Sequence, residues 1–142
     1  MAKTREIKIG HEREFLLLSD FYEGESTRSS KGELWSVHVH IALSNLRADA
    51  RVWLNDVLDP PLVGFFHDLA ESWRGWDGVR EWRAYEDGLA LSCTHDGLGH
   101  VTTTVELRPL SAAGWLVRGD VPLDAGQLEQ IAYELDRFMS EV

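Results

Sequence analysis

The sequence predicts an α+β domain, with one broad antiparallel sheet of about six to eight strands and two helices packed on one face. Three observations predict it. Several segments alternate apolar and polar residues with a period of two, and two others carry apolar residues at helical spacing on one side only. The order is strands, helix, strands, helix, through short connections and without a βαβ rhythm. No internal repeat or change of composition divides residues 1–142, so the chain reads as a single domain.

The strands follow from alternation. Ile7 and Ile9, then Phe15 to Leu18, mark two N-terminal strands. The small and polar residues from Glu23 to Gly32 read as an exposed mobile loop. Trp35, Val37, Val39, Ile41 and Leu43 alternate with Ser36, His38, His40, Ala42 and Ser44, the pattern of a half-buried strand. Ala48, Ala50, Val52 and Leu54 alternate with Arg47, Asp49, Arg51 and Trp53. Trp82 and Ala84 alternate with Glu81, Arg83 and Tyr85, and three further strands are expected over Gly88 to His95, Val101 to Arg108 and Trp115 to Val121.

The helices follow from caps and stripes. Asp59 and Pro60 suit the N-cap and first helical position of a helix whose stripe is Leu62, Phe65, Phe66, Leu69, Ala70 and Trp73, ended by Gly75 and Gly78. The second helix starts at Asp124, with Gln127 placed to complete a capping box. It buries Leu128, Ile131, Ala132, Leu135, Phe138 and Met139.

One register can be read from the sequence. Pairing His95 with Val101 sets Leu91 against Val105 and Leu89 against Leu107, whereas a slip of one residue would face Leu91 with Thr104. The connecting loop is then Asp96 to His100, with two glycines free to take positive φ. His95 falls at the edge of the core and His100 in the loop.

Composition excludes several roles. A net charge of −10 is unfavourable for nucleic acid, which needs a basic footprint, and would steer a basic protein partner towards the chain. The single cysteine, Cys93, allows no internal disulfide and points to a reducing compartment, the cytoplasm. No signal-peptide core is visible, and the aliphatic-aromatic run from Phe15 to Leu18 falls far short of the roughly 20 residues of a membrane span.

Nothing in the motifs assigns a catalytic residue or a cofactor. There is no nucleophile elbow, and Gly97-Leu98-Gly99 is better explained as a hairpin turn than as a phosphate loop. His38 and His40 share a strand face, but a metal site needs about three or four ligands and the other histidines do not converge with them by parity. No metal is therefore expected. Trp73, Trp76 and Trp82, punctuated by Gly75 and Gly78, form an aromatic corner in which Trp73 and Trp82 read as core and Trp76 as a plug or a partner anchor. A polar sheet face carrying Trp53 and Tyr85 beside Arg83 has the residue types enriched at interfaces. Trp53, Tyr85, Arg83, Trp76, Asp77, His38 and His40 are thus the candidate partner-binding residues, and Asp96 and His100 the candidates for a ligand or an active site.

Trp73-Arg74-Gly75-Trp76-Asp77-Gly78, the run from Cys93 to Val101 that contains Thr-His-Asp-Gly-Leu-Gly-His, and Leu123-Asp124-Ala125-Gly126-Gln127-Leu128 resemble a family of small bacterial proteins of unknown function. The likeness is clearest from Phe65 to Phe138. More distantly, the chain is similar to immunity proteins that neutralise toxins deployed between competing bacteria. That resemblance implies stoichiometric binding of a protein and no catalysis, and the net charge of −10 suits a basic toxin domain as that protein. Two alternatives stand beside it. One is a small enzyme or ligand-binding domain with its site near the Asp96–His100 loop, and the other a structural or adaptor subunit, including a homodimer through a sheet edge.

Overall fold

Alternation carries directly into strands. A computed structural model of the chain describes residues 5–23, 34–55, 61–109 and 114–140. In chain order these form β1 (Glu6–Gly10), β2 (Phe15–Glu23), β3 (Leu34–Leu43), β4 (Leu46–Asn55), α1 (Leu62–Glu71), β5 (Arg80–Arg83), β6 (Leu89–His95), β7 (His100–Leu107), β8 (Val117–Asp124) and α2 (Leu128–Ser140). The expected loop between Glu23 and Gly32 falls outside the described residues but for its first, and Asp59 and Pro60 fall outside entirely.

The fold is α+β and, among the described residues, wholly antiparallel, but the eight strands found there divide into two sheets of four, ordered β1-β2-β3-β4 and β5-β6-β7-β8. Each half of the chain is thus a four-strand meander followed by a helix, and α1 and α2 pack against each other. The two sheets meet through close contacts at small residues. Gly88 lies against Val52 of β4, and a Cβ on Gly119 of β8 would run into Leu43 Cδ1. One cluster of buried side chains runs through both halves. Ile9, Leu16, Val39 and Val52 come from the first sheet, Leu91, Val105 and Leu123 from the second, and Phe66, Leu69, Leu128 and Leu135 from the helices. Each large apolar side chain so buried contributes about 1.5–3 kcal/mol.

The predicted register between β6 and β7 is the observed one: His95 pairs with Val101, Leu91 with Val105 and Leu89 with Leu107. The capping box at the second helix also forms, with the Asp124 N–H donating to Gln127 Oε1 at 2.8 Å. A short 3-10 turn, Ala125–Gln127, precedes α2, whose buried face is Leu128, Ile131, Ala132, Leu135 and Phe138.

The first helix ends earlier than its stripe suggests. It stops at Glu71 with Ser72 as C-cap, and Gly75 then takes a φ of +142° that turns the chain away. Trp73, expected in the core, therefore falls off the stripe and is 51% exposed, whereas Trp82 is buried as expected. Strand β5 ends at Arg83, so Tyr85 begins a 3-10 turn, Tyr85–Asp87, rather than continuing the strand. Trp115 likewise precedes β8 and is exposed.

Candidate functional site

Two groups of histidine and aspartate stand on the two meanders. The first lies on the outer face of the β3–β4 hairpin. His38 and His40 are two apart on β3, so their side chains leave the same face, and their rings stand 4.2 Å apart. The two-residue turn Ser44–Asn45, with Asn45 at φ +62°, fixes the hairpin register and places Asp49 of β4 directly opposite His40. Asp49 Oδ2 lies 2.8 Å from His38 Nε2. One donor atom from each of His38, His40 and Asp49 falls within 4.8 Å of the other two. Arg51, which faces His38 across the strand pair, gives hydrogen bonds to Ser36 Oγ and to the Asp20 carbonyl. Those bonds draw its guanidinium towards the end of the hairpin away from Asp49.

The second group closes the β6–β7 loop. Asp96 Oδ1 accepts the N–H of Leu98 at 2.6 Å and that of His100 at 3.0 Å, and Asp96 Oδ2 lies 2.7 Å from His100 Nδ1. These bonds, led by the Leu98 N–H, lower the Asp96 carboxyl from 3.8 to about 2. His95 Nδ1 accepts the Gly97 N–H at 2.8 Å. Its proton therefore sits on Nε2, which donates to the Trp73 carbonyl at 2.8 Å. Gly97 and Gly99 supply the positive φ that this tight path requires.

That loop and the tryptophan corner are one region. Trp76 is half-buried against the core, donates its indole N–H to the Cys93 carbonyl at 3.2 Å, and meets the His95 ring edge-on at 5.1 Å. Arg80 lies over the opposite part of the corner, its guanidinium 5.1 Å from the Trp76 ring. Arg74, Gly75, Trp76, Asp77, His95, Asp96 and Gly97 together line an open depression of about 420 Å³. Behind it Cys93 is buried, and burial pushes its thiol up to about 11 despite a contact with the Thr103 hydroxyl at 3.4 Å, so it is held as an unreactive thiol.

The structure brings some predicted residues together and separates others. Trp76 and Asp77 join Asp96 at the corner, and His38 and His40 join Asp49 on the hairpin. Trp53 is half-buried on β4 of the first sheet, while Arg83 belongs to the second sheet, where it is 3.7 Å from Asp87. Trp53 and Arg83 therefore do not stand on one sheet face. On the outer face of the second sheet, Thr104 bonds Asp120 and Arg118 approaches Glu106, cross-strand pairs that satisfy each other. Asp49 is the residue that counting histidines overlooked. The signal for it was present, because a Ser-Asn turn between two alternating segments sets the pairing with His40.

The described fold is a two-meander α+β domain in which neither helix is long and apolar enough to cross a membrane. The chain belongs to the family of unknown function DUF6228, whose model matches residues 9–142. No curated protein and no solved structure matches it. Membership gives the family without a chemistry, and none of these comparisons carries the likeness to immunity proteins.

Proposed function

We propose that the chain is a non-catalytic protein-binding domain that engages a basic partner through the corner formed by Trp73, Trp76 and the β6–β7 loop. The observation that carries this reading is a set of large apolar side chains exposed on a backbone already held in place. Leu98 is 80% exposed and Trp73 51% exposed, while Asp96 and His95 fix the loop and its contact with the corner through five hydrogen bonds. Apolar side chains presented without an ordering cost are what a binding hot spot requires. The net charge of −10 supplies complementarity to a basic surface. The finer form of the proposal is an immunity-type protein, cytoplasmic, that neutralises a toxin by one-to-one binding. If the toxin is a nuclease, the acidity stands in for the phosphate charge it normally meets.

The test is co-purification with the polypeptide encoded immediately upstream, followed by size exclusion at low and moderate salt. A one-to-one complex that silences a toxic activity, weakens with salt and loses about 10-fold or more in affinity with Trp73→Ala or Leu98→Glu supports the proposal. An acidic partner, or binding indifferent to salt, refutes it. The second reading, a small ligand bound near Asp96 and His100, is favoured by the depression of about 420 Å³ beside Trp76. A small molecule recovered from the purified protein would select it.

A further inference from the structure

We infer that His38, His40 and Asp49 form a binding site for a divalent transition-metal ion of the zinc type. The backbone supplies the first argument. Both histidines project from β3, which is paired on both sides, and Asp49 is held opposite His40 by the register of a tight hairpin. Ligands carried on regular strands keep their spacing far better than ligands on a loop.

The donor set supplies the second argument. Two imidazoles and a carboxylate suit zinc, nickel, copper or ferrous ions. Calcium demands six to eight oxygen ligands and magnesium a near-ideal octahedron of them, which this set does not offer. Zinc sits about 2.0–2.2 Å from such donors, so two ligands at a tetrahedral angle stand about 3.4 Å apart. The His38–Asp49 pair, now at 2.8 Å, has to open by about 0.6 Å, and the widest separation, within 4.8 Å, has to close by at most about 1.4 Å. Rotation about side-chain torsions is the movement both require, and the Asp49 side chain, 58% exposed, has room to make it.

Electrostatics is the third. Asp49 brings a negative charge to the site, the chain as a whole carries −10, and Arg51 is bonded away towards Ser36 and Asp20. Three protein ligands leave a fourth tetrahedral position open to water, as in sites where a metal meets a further ligand. Among the described residues this is the one histidine-containing group with three converging donors.

The experiment is titration of chelator-stripped protein with Zn²⁺ by calorimetry, with Co²⁺ absorption as a spectroscopic readout of coordination. One ion is expected per chain. His40→Gln and Asp49→Asn are each expected to weaken binding by about 10-fold or more, since losing even an outer partner of a metal ligand costs about 10–100-fold. His100→Gln, in the other cluster, leaves the affinity unchanged. No saturable one-to-one binding, or an affinity untouched by Asp49→Asn, overturns the site. Circular dichroism of each variant separates a lost ligand from a lost fold. The outcome is independent of the partner-binding proposal, which concerns the other meander.

Discussion

His38, His40 and Asp49 on the first meander, and His95, His100 and Asp96 on the second, are the same three side chains put to different use. In the second group nearly every polar atom is spent on the loop itself. Asp96 holds two backbone N–H groups and the His100 ring, and His95 uses both ring nitrogens, one towards Gly97 and one towards Trp73. In the first group the backbone is already satisfied by the ladder of β3 and β4, so the side chains point outwards, held to one another by the His38–Asp49 hydrogen bond and the contact between the His38 and His40 rings. The difference teaches that residue type does not make a site. A donor is available to a ligand only where the main chain has not claimed it, and side chains bordering a tight loop, such as His95 at the end of β6 and His100 at the start of β7, are drawn into it as those in mid-strand are not.

The comparison can be broken most severely at Asp96. Asp96→Ala removes the acceptor of the Leu98 and His100 N–H groups together with the His100 contact, and the loop loses its organising residue. The expected result is the largest fall in thermal midpoint among single changes at the six residues, with faster amide exchange at Leu98 and His100. Hydrogen exchange followed by NMR reads both effects. Unchanged protection at those two amides would show that the glycines alone set the turn.

A smaller effect separates the two groups by pH. The folded Asp96 carboxyl lies at about 2 against an ordinary 3.8, so its charged form is the one that folding favours. The stability that it adds is complete above the ordinary value and is lost as pH falls from 3.8 towards about 2. Asp96→Asn abolishes that part of the acid dependence while keeping an oxygen to accept the backbone N–H groups. Urea midpoints measured from pH 5 to pH 2 should run flatter in the variant than in the parent chain. Parallel curves would mean that the carboxylate charge contributes nothing to folding.

How much of this the sequence disclosed depended on whether neighbours along the chain decided it. The β6–β7 register was legible because only one pairing sets Leu89 and Leu91 against Leu107 and Val105. The capping box was legible because Asp124 and Gln127 are three residues apart and need nothing else. The division into two sheets was not, since no local pattern says whether β4 and β5 pair across the helix between them. Trp73 was misplaced because it continues the periodicity of α1, and only the cap at Ser72 and the turn at Gly75 take it out to solvent. The metal-type group was half legible. His38 and His40 follow from parity, but Asp49 joins them only through the cross-strand register.

The smallest effect is the sharpest test of that group. In chelator-treated protein the His38–Asp49 contact is a partly exposed surface pair, its side chains 25% and 58% exposed. Such pairs are worth about 0–1 kcal/mol. His38→Ala and Asp49→Ala should therefore each move the metal-free stability by less than about 1 kcal/mol, well below the change at Asp96. The same substitutions should lower the stability measured in excess Zn²⁺, because an ion that binds only the folded chain stabilises it by mass action. Denaturation curves with and without Zn²⁺ make the distinction. If either variant is as damaging without metal as Asp96→Ala, these side chains hold the hairpin together, and the two groups are alike after all.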